Sequence, residues 1–195
     1  MIKKLFYRAI VFSIGLFYFG VGVAAAIDDG FDRARKIEGN HFLIYYAPEL
    51  DLSGLIQKLN ISPSDKFLAG KSSGEGFSLE GEFAGTLDTL FSRVCNILDM
   101  QLYSFKGNIK ICRDSVQLNY IYHHIFNNDP ANITRSFYAY DVNTVYTSPE
   151  NFTLEIIGHE IAHAVISHYF VVLPSVKIQE VLSAYVEYQL RKAGQ

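Results

Sequence analysis

Two cysteines, Cys95 and Cys112, are all that the 195 residues contain, and neither has the spacing of a zinc knuckle. Blocks of positive charge are missing too. Seventeen lysines and arginines are scattered among 20 acids, for a net charge of −3. A chain so balanced carries no electrostatic footprint for nucleic acid. The polar, glycine-rich stretch Ser62 to Gly76 holds Gly70-Lys71-Ser72, but a phosphate loop needs glycine at position 65, where Asp65 stands. That argues against a nucleotide site. No internal repeat, second domain or propeptide is recognisable. With 49% hydrophobic residues, the chain reads as one domain with a substantial core.

The N-terminus reads as a secretory signal over residues 1–26. Lys3, Lys4 and Arg8 precede an uncharged apolar stretch from Ile10 to Val23, and Ala24-Ala25-Ala26 offers small residues for cleavage. The other reading is an uncleaved membrane anchor, since the apolar run approaches spanning length. No cysteine follows the alanines, so a lipid anchor is not expected. Cleavage leaves residues 27–195 as a single exported domain, periplasmic or secreted. Export permits a disulfide. Cys95 falls on the apolar face of a helix, however, and Cys112 points to the opposite side of its strand, so the pairing stays open.

Along the domain, His41 to Ala47 is aromatic and branched and predicts a strand. Leu52 to Leu59 predicts a short amphipathic helix. Leu79 to Leu102 carries Phe83, Leu87, Leu90, Phe91, Val94, Leu98 and Leu102 at helical spacing, a long core-packed helix. Gly107 to Cys112 alternates as a strand, and Ser115 to Phe126 is a further helix. Its His123 and His124 are adjacent, so they face different directions and read as surface groups. Asn127 to Pro130 is a turn. Ser136 to Tyr140 and Asn143 to Thr147 predict two strands joined by Asp141-Val142. Ser148-Pro149-Glu150 has the grammar of a helix start. The order predicts an α+β domain, a small mixed sheet with helices packed on it.

The most informative stretch is Ile156 to Val165, which contains His159-Glu160-Ile161-Ala162-His163. On a helix, residues four apart project from one face, so both imidazoles can reach one metal ion, while Glu160 lies about 100° round the axis. Two neutral nitrogens beside a carboxylate able to take a proton from the attacking water is the arrangement of a zinc hydrolase. Every residue from Ile156 to Val165 outside the motif's own His and Glu is uncharged, and none is proline. A buried His-Glu-His group without a partner would be costly to desolvate.

A hydrolytic zinc takes a third protein ligand. A histidine six residues beyond His163 would give one class of site, but Tyr169 stands there. His168 is about 140° off the ligand face and reads as a helix C-terminal histidine. The remaining source is the helix after Leu173-Pro174, where Glu180 and Glu187 share a face. They lie about 10 Å apart along the axis, so both cannot serve equally.

The His159–His163 motif, the Leu-Pro and the run Glu180-Val181-Leu182-Ser183-Ala184-Tyr185 together resemble the gluzincin group of zinc peptidases, in particular their small peptidase MA-like domains. The motif match covers about residues 159–188, with a looser likeness of layout back to residue 41. The chain departs from the family at Val181, where glycine is usual. It departs again at Ala184, where some gluzincins place an aspartate that orients a histidine. The resemblance implies a zincin-like domain with Zn2+ held by His159, His163 and Glu180, Glu160 as general base, and a peptide or protein substrate. It favours Glu180 over Glu187 and nominates Tyr185 as the donor to the developing oxyanion. Tyr146, Tyr138 and His168 are the other candidates. It also implies that Asn143 to Thr147 forms the sheet edge where a peptide lies in extended form. The rival expectations are a non-catalytic zinc- or peptide-binding module on a degenerate gluzincin fold, and a tethered protein whose zinc is structural.

Overall fold

The computed structural model describes residues 29–61, 78–126 and 134–193. The signal-like segment 1–26, the loop 62–76 and the turn 127–130 fall outside those residues. Five strands form one mixed sheet: β1 (Arg35–Glu38), β2 (Phe42–Tyr46), β3 (Gly107–Ile111), β4 (Ser136–Ala139) and β5 (Thr144–Thr147). Their spatial order is β1-β2-β3-β5-β4. The middle strands β2, β3 and β5 are parallel, and β1 and β4 close the two edges antiparallel. Among the described residues five helices accompany it: α1 (Leu52–Leu59), α2 (Leu79–Leu98), α3 (Ser115–Phe126), α4 (Leu154–Tyr169) and α5 (Val176–Ala193). The α+β class and mixed sheet follow the expectation.

Alternation along the strands sends side chains to two unequal faces. Ile44, Ile109 and Val145 stand side by side in the sheet and face the main core with Leu55, Leu87, Phe91, Ile157, Ile161 and Val186. Helices α1, α2, α4 and α5 therefore cover one face. On the other face Cys112, Phe137 and Tyr146 pack with Leu118 and Ile121 of α3. Cys95 belongs to the first core and Cys112 to the second. The sheet lies between them, and both are free, buried thiols. Burial pushes Cys95 up to about 11 and Cys112 up to about 12.

Three boundaries differ from the expectation, each for a local reason. Helix α2 stops at Leu98 because Asp99 turns left-handed (φ 54°) and its N–H returns to Asn96 and Cys95; Leu102 still packs on the core. The predicted start of the motif helix at Ser148 is instead a separate 3-10 turn, Pro149–Asn151. Phe152 is buried after it, against Phe83. The helix proper begins at Leu154, where the Thr153 hydroxyl accepts the Ile156 N–H. Strands β4 and β5 are joined by a 3-10 turn, Tyr140–Val142, and a left-handed Asn143, two residues longer than Asp141-Val142 alone.

The expected sheet edge needs correction. Thr144–Thr147 lies inside the sheet, between β3 and β4, and the edge strand beside the motif helix is β4. The strand nearest the motif helix in sequence is thus not the outermost in space, because β4 folds back antiparallel outside it. Strand β1 was not expected at all; of Arg35-Lys36-Ile37-Glu38 only Ile37 is buried. Its turn into β2 is held from inside by Asp88 of α2, which accepts the N–H groups of Asn40 (2.8 Å) and His41 (2.9 Å). Among the described residues no helix is long and apolar enough to cross a membrane.

Candidate metal centre

Helices α4 and α5 form an antiparallel pair. Gly158, near the start of α4, meets Leu190, near the end of α5, and a Cβ on Gly158 would lie 2.2 Å from Leu190 Cδ1. That missing side chain lets the two helices approach closely. The approach brings α5's first turns against the ligand face of α4.

There His159 and His163 turn toward each other, with their Nε2 atoms 3.2 Å apart. The Glu180 carboxylate reaches across from α5, with Oε2 3.5 Å from His159 Nε2 and Oε1 3.5 Å from His163 Nε2. These three residues are the group among the described residues whose donor atoms could hold one metal ion. The histidines are part-buried, while Glu180 is exposed and approaches from the solvent side. Burial lowers the pKa of His163, reinforced by the neighbouring His159 and opposed by Glu180 and a hydrogen bond with the Gln179 side chain. The net direction favours the neutral imidazole, the form that can ligate.

Glu160 sits differently. It is 8% exposed, and its Oε1 accepts the Ser136 hydroxyl at 2.7 Å. The Tyr138 backbone N–H also donates to it. Both donors belong to edge strand β4, so the carboxylate is clamped between the motif helix and the sheet edge. Desolvation raises its pKa above the usual carboxylate range. Ser136, the nearby His159 and the Tyr138 N–H pull it back, and Glu180 pushes it further up. A carboxyl whose pKa is raised by burial and which two donors hold in place is suited to taking and returning a proton.

The remaining candidates stand apart. Tyr185 lies about 140° round α5 from Glu180 and is 47% exposed; it is not gathered with His159, His163 and Glu180. Tyr146 is on the far side of the sheet, its hydroxyl donating to Asp29 at 3.2 Å. Tyr138 donates its hydroxyl to Asn143 Oδ1 at 3.0 Å, and burial raises its pKa strongly. His168 places Nδ1 2.9 Å from the Ala164 carbonyl, at the helix C-terminus as expected. His124 of α3 stacks on Tyr120, His123 meets Tyr122 edge-on, and neither takes part.

Three polar side chains at this site were not singled out by the sequence: Ser136, Gln179 and Arg191. Serine on a strand and glutamine on a helix carry no motif, and their value appears only when β4 and α5 are placed against α4. Glu187, weighed as a rival ligand, lies on the other side of the His159 ring, with Oε2 3.6 Å from Nδ1, and its Oε1 accepts from Arg191 at 2.5 Å. A scan against protein-family models, a search of curated proteins and a search of solved structures each returned no match.

Proposed function

We propose that this chain is a zinc-dependent hydrolase of peptide bonds, of the gluzincin type, with His159, His163 and Glu180 holding the ion and Glu160 handling the proton. The observation that carries this reading is the cluster of donor atoms: the two Nε2 atoms stand 3.2 Å apart, a different Glu180 oxygen lies 3.5 Å from each of them, and one donor atom from each residue lies within 4.8 Å of the other two. A tetrahedral ion with bonds of about 2.0–2.2 Å sets its ligand atoms roughly 3.3–3.6 Å apart. The nitrogen–nitrogen and nearest nitrogen–oxygen distances are close to that spacing, and two neutral nitrogens with one carboxylate is a donor set of catalytic zinc sites.

A zinc bound there would polarise the substrate carbonyl and make water a nucleophile at neutral pH. Glu160 would accept a proton from the attacking water and pass it to the leaving amine. The Ser136 hydroxyl and Tyr138 N–H hold its carboxylate in position through that exchange. Because Glu160 is tied to β4, the substrate is proposed to run extended along the unpaired side of that edge strand, beside the base. The apolar N-terminal stretch supports export of the domain as part of the same reading.

A second reading, a zinc- or peptide-binding module without turnover, draws on one observation. The proposed base is almost fully buried and both its contacts on β4 are already made. Glu160→Gln separates the two. Incubating wild type and variant with a library of internally quenched peptides should show cleavage by the wild type and a loss of about 10²-fold or more in the variant, at equal zinc content. Cleavage equal in both would refute the role of Glu160. No cleavage by a zinc-loaded wild type would leave the binding module.

A further inference from the structure

We propose that Glu187 is the positioning residue for His159, fixing the ring's tautomer and orientation from the side opposite the metal. The inference rests on the metal reading above. His159 turns Nε2 into the donor triangle, 3.2 Å from His163 and 3.5 Å from Glu180. For that nitrogen to offer a lone pair, the single proton of the neutral imidazole must sit on Nδ1. Nδ1 faces Glu187 Oε2 at 3.6 Å. That is longer than a hydrogen bond, and closing it to ordinary length takes a shift of about 0.5 Å, within the reach of a glutamate side chain.

Glu187 is itself held. Arg191, one turn further along α5, donates to Oε1 at 2.5 Å and leaves Oε2 free for the imidazole. One helix thus supplies two acids to one ring, Glu180 on the ligand side and Glu187 on the other. The arrangement answers two questions raised by the sequence. Glu187 cannot be an alternative ligand for the same ion, because it faces the nitrogen turned away from it. Ala184, one turn after Glu180, has no group to orient a histidine, and Glu187, seven residues after Glu180, occupies that office from the same helix face. Carboxylates in this position fix ring orientation and raise the basicity of the ligating nitrogen.

The test measures zinc affinity of the full chain by competition with a chromophoric chelator, for wild type, Glu187→Ala, Glu187→Gln and Glu180→Ala. The Co2+-loaded forms are compared by visible absorption. Glu187→Ala is expected to bind zinc 10–100-fold more weakly, yet to keep the wild-type cobalt bands, since no ligand is lost. Glu187→Gln, whose amide oxygen still accepts from Nδ1, is expected to recover most of the affinity. Metal-free melting temperatures should match, because an exposed helix ion pair adds little. Unchanged zinc affinity in Glu187→Ala would overturn the proposal. So would cobalt bands displaced as in Glu180→Ala, which would make Glu187 a ligand. A wild type that binds no zinc would overturn the metal reading together with this one, whereas a zinc-binding wild type beside an indifferent Glu187→Ala would sink the positioning role alone.

Discussion

Substituting Gly158 by alanine adds a single methyl group where the two helices of the metal centre touch. The new Cβ would stand 2.2 Å from Leu190 Cδ1 and 3.9 Å from Leu90 Cδ1. Ordinary carbon contacts are about 3.5–4.0 Å, so the deficit is about 1.5 Å on one side and nil on the other. Two effects oppose each other. Alanine in a helix interior is favoured over glycine by about 1 kcal/mol. Overpacking a closed core costs about 1–3 kcal/mol. Leu190 is 1% exposed and has core neighbours on its other sides, so it has little room to swing away, and the second effect should win. The net expectation is a loss of about 1 kcal/mol, or about 2–4 °C in Tm for a chain of this size. Because α5 carries Glu180, pushing it off α4 should also widen the donor triangle and weaken zinc binding. Thermal unfolding of the metal-free protein and a zinc competition titration read the two consequences separately. A variant stabilised by about 1 kcal/mol, with unchanged zinc affinity, would show that helix propensity alone governs this position. The close-approach account would then be wrong.

Other consequences are open to measurement. Asp88→Ala removes the acceptor of two backbone N–H groups in the β1–β2 turn. It should cost about 2–4 kcal/mol, read as a lower denaturation midpoint at constant slope. Thr153→Ala removes the N-cap of the motif helix and should cost about 1 kcal/mol in the same assay. With thiols raised to about 11 and about 12, the folded protein should resist alkylation at pH 8.5 and react at both cysteines once unfolded. Because these folded-state values lie above the unfolded value of about 8.5, the cysteines' contribution to stability is complete below that pH. It should decline as pH rises from there toward about 11 for Cys95 and about 12 for Cys112. An alkaline melting series that stays flat for the wild type and for a Cys95→Ala, Cys112→Ala double variant alike would contradict this.

Much of the architecture could be read from apolar periodicity. Helices α1 and α3 fall where their patterns end, and β2 and β3 alternate as expected, because each buries one regular face. The cysteines were legible on the same ground, Cys95 by its helix face and Cys112 by its strand parity. Strand β1 was not legible: three of its four residues are charged and exposed, which protects a sheet edge and hides the strand. The end of α2 depended on a left-handed aspartate in place of the usual glycine. The start of α4 depended on whether Ser148 or Thr153 caps, and burial of Phe152 decided it.

At the site, helical spacing placed His159 and His163 on one face, since four residues on one helix is a local constraint; Glu180, on the next helix, was favoured over Glu187 only by the family resemblance, and its carboxylate oxygens lie 3.5 Å from both rings. What the spacing could not give was which nitrogen of His159 faces which acid. It likewise could not place Ser136 and Tyr138 against Glu160, because the Ser136 contact joins residues 24 apart along the chain and the Tyr138 contact reaches Glu160 from the same sheet edge. The assignment of Glu187 changed for this reason: axial distance along α5 says that two acids cannot reach one point, but says nothing about the two sides of one ring.

Whether these three side chains hold a zinc ion is read most directly by elemental mass spectrometry of purified protein. Wild type and Glu180→Ala would be remetallated, freed of loose ion by gel filtration, and assayed side by side. One zinc per chain is expected in the wild type, with a clear loss in the variant. A wild type that retains none after remetallation, or a variant that keeps its full complement, would contradict the metal reading.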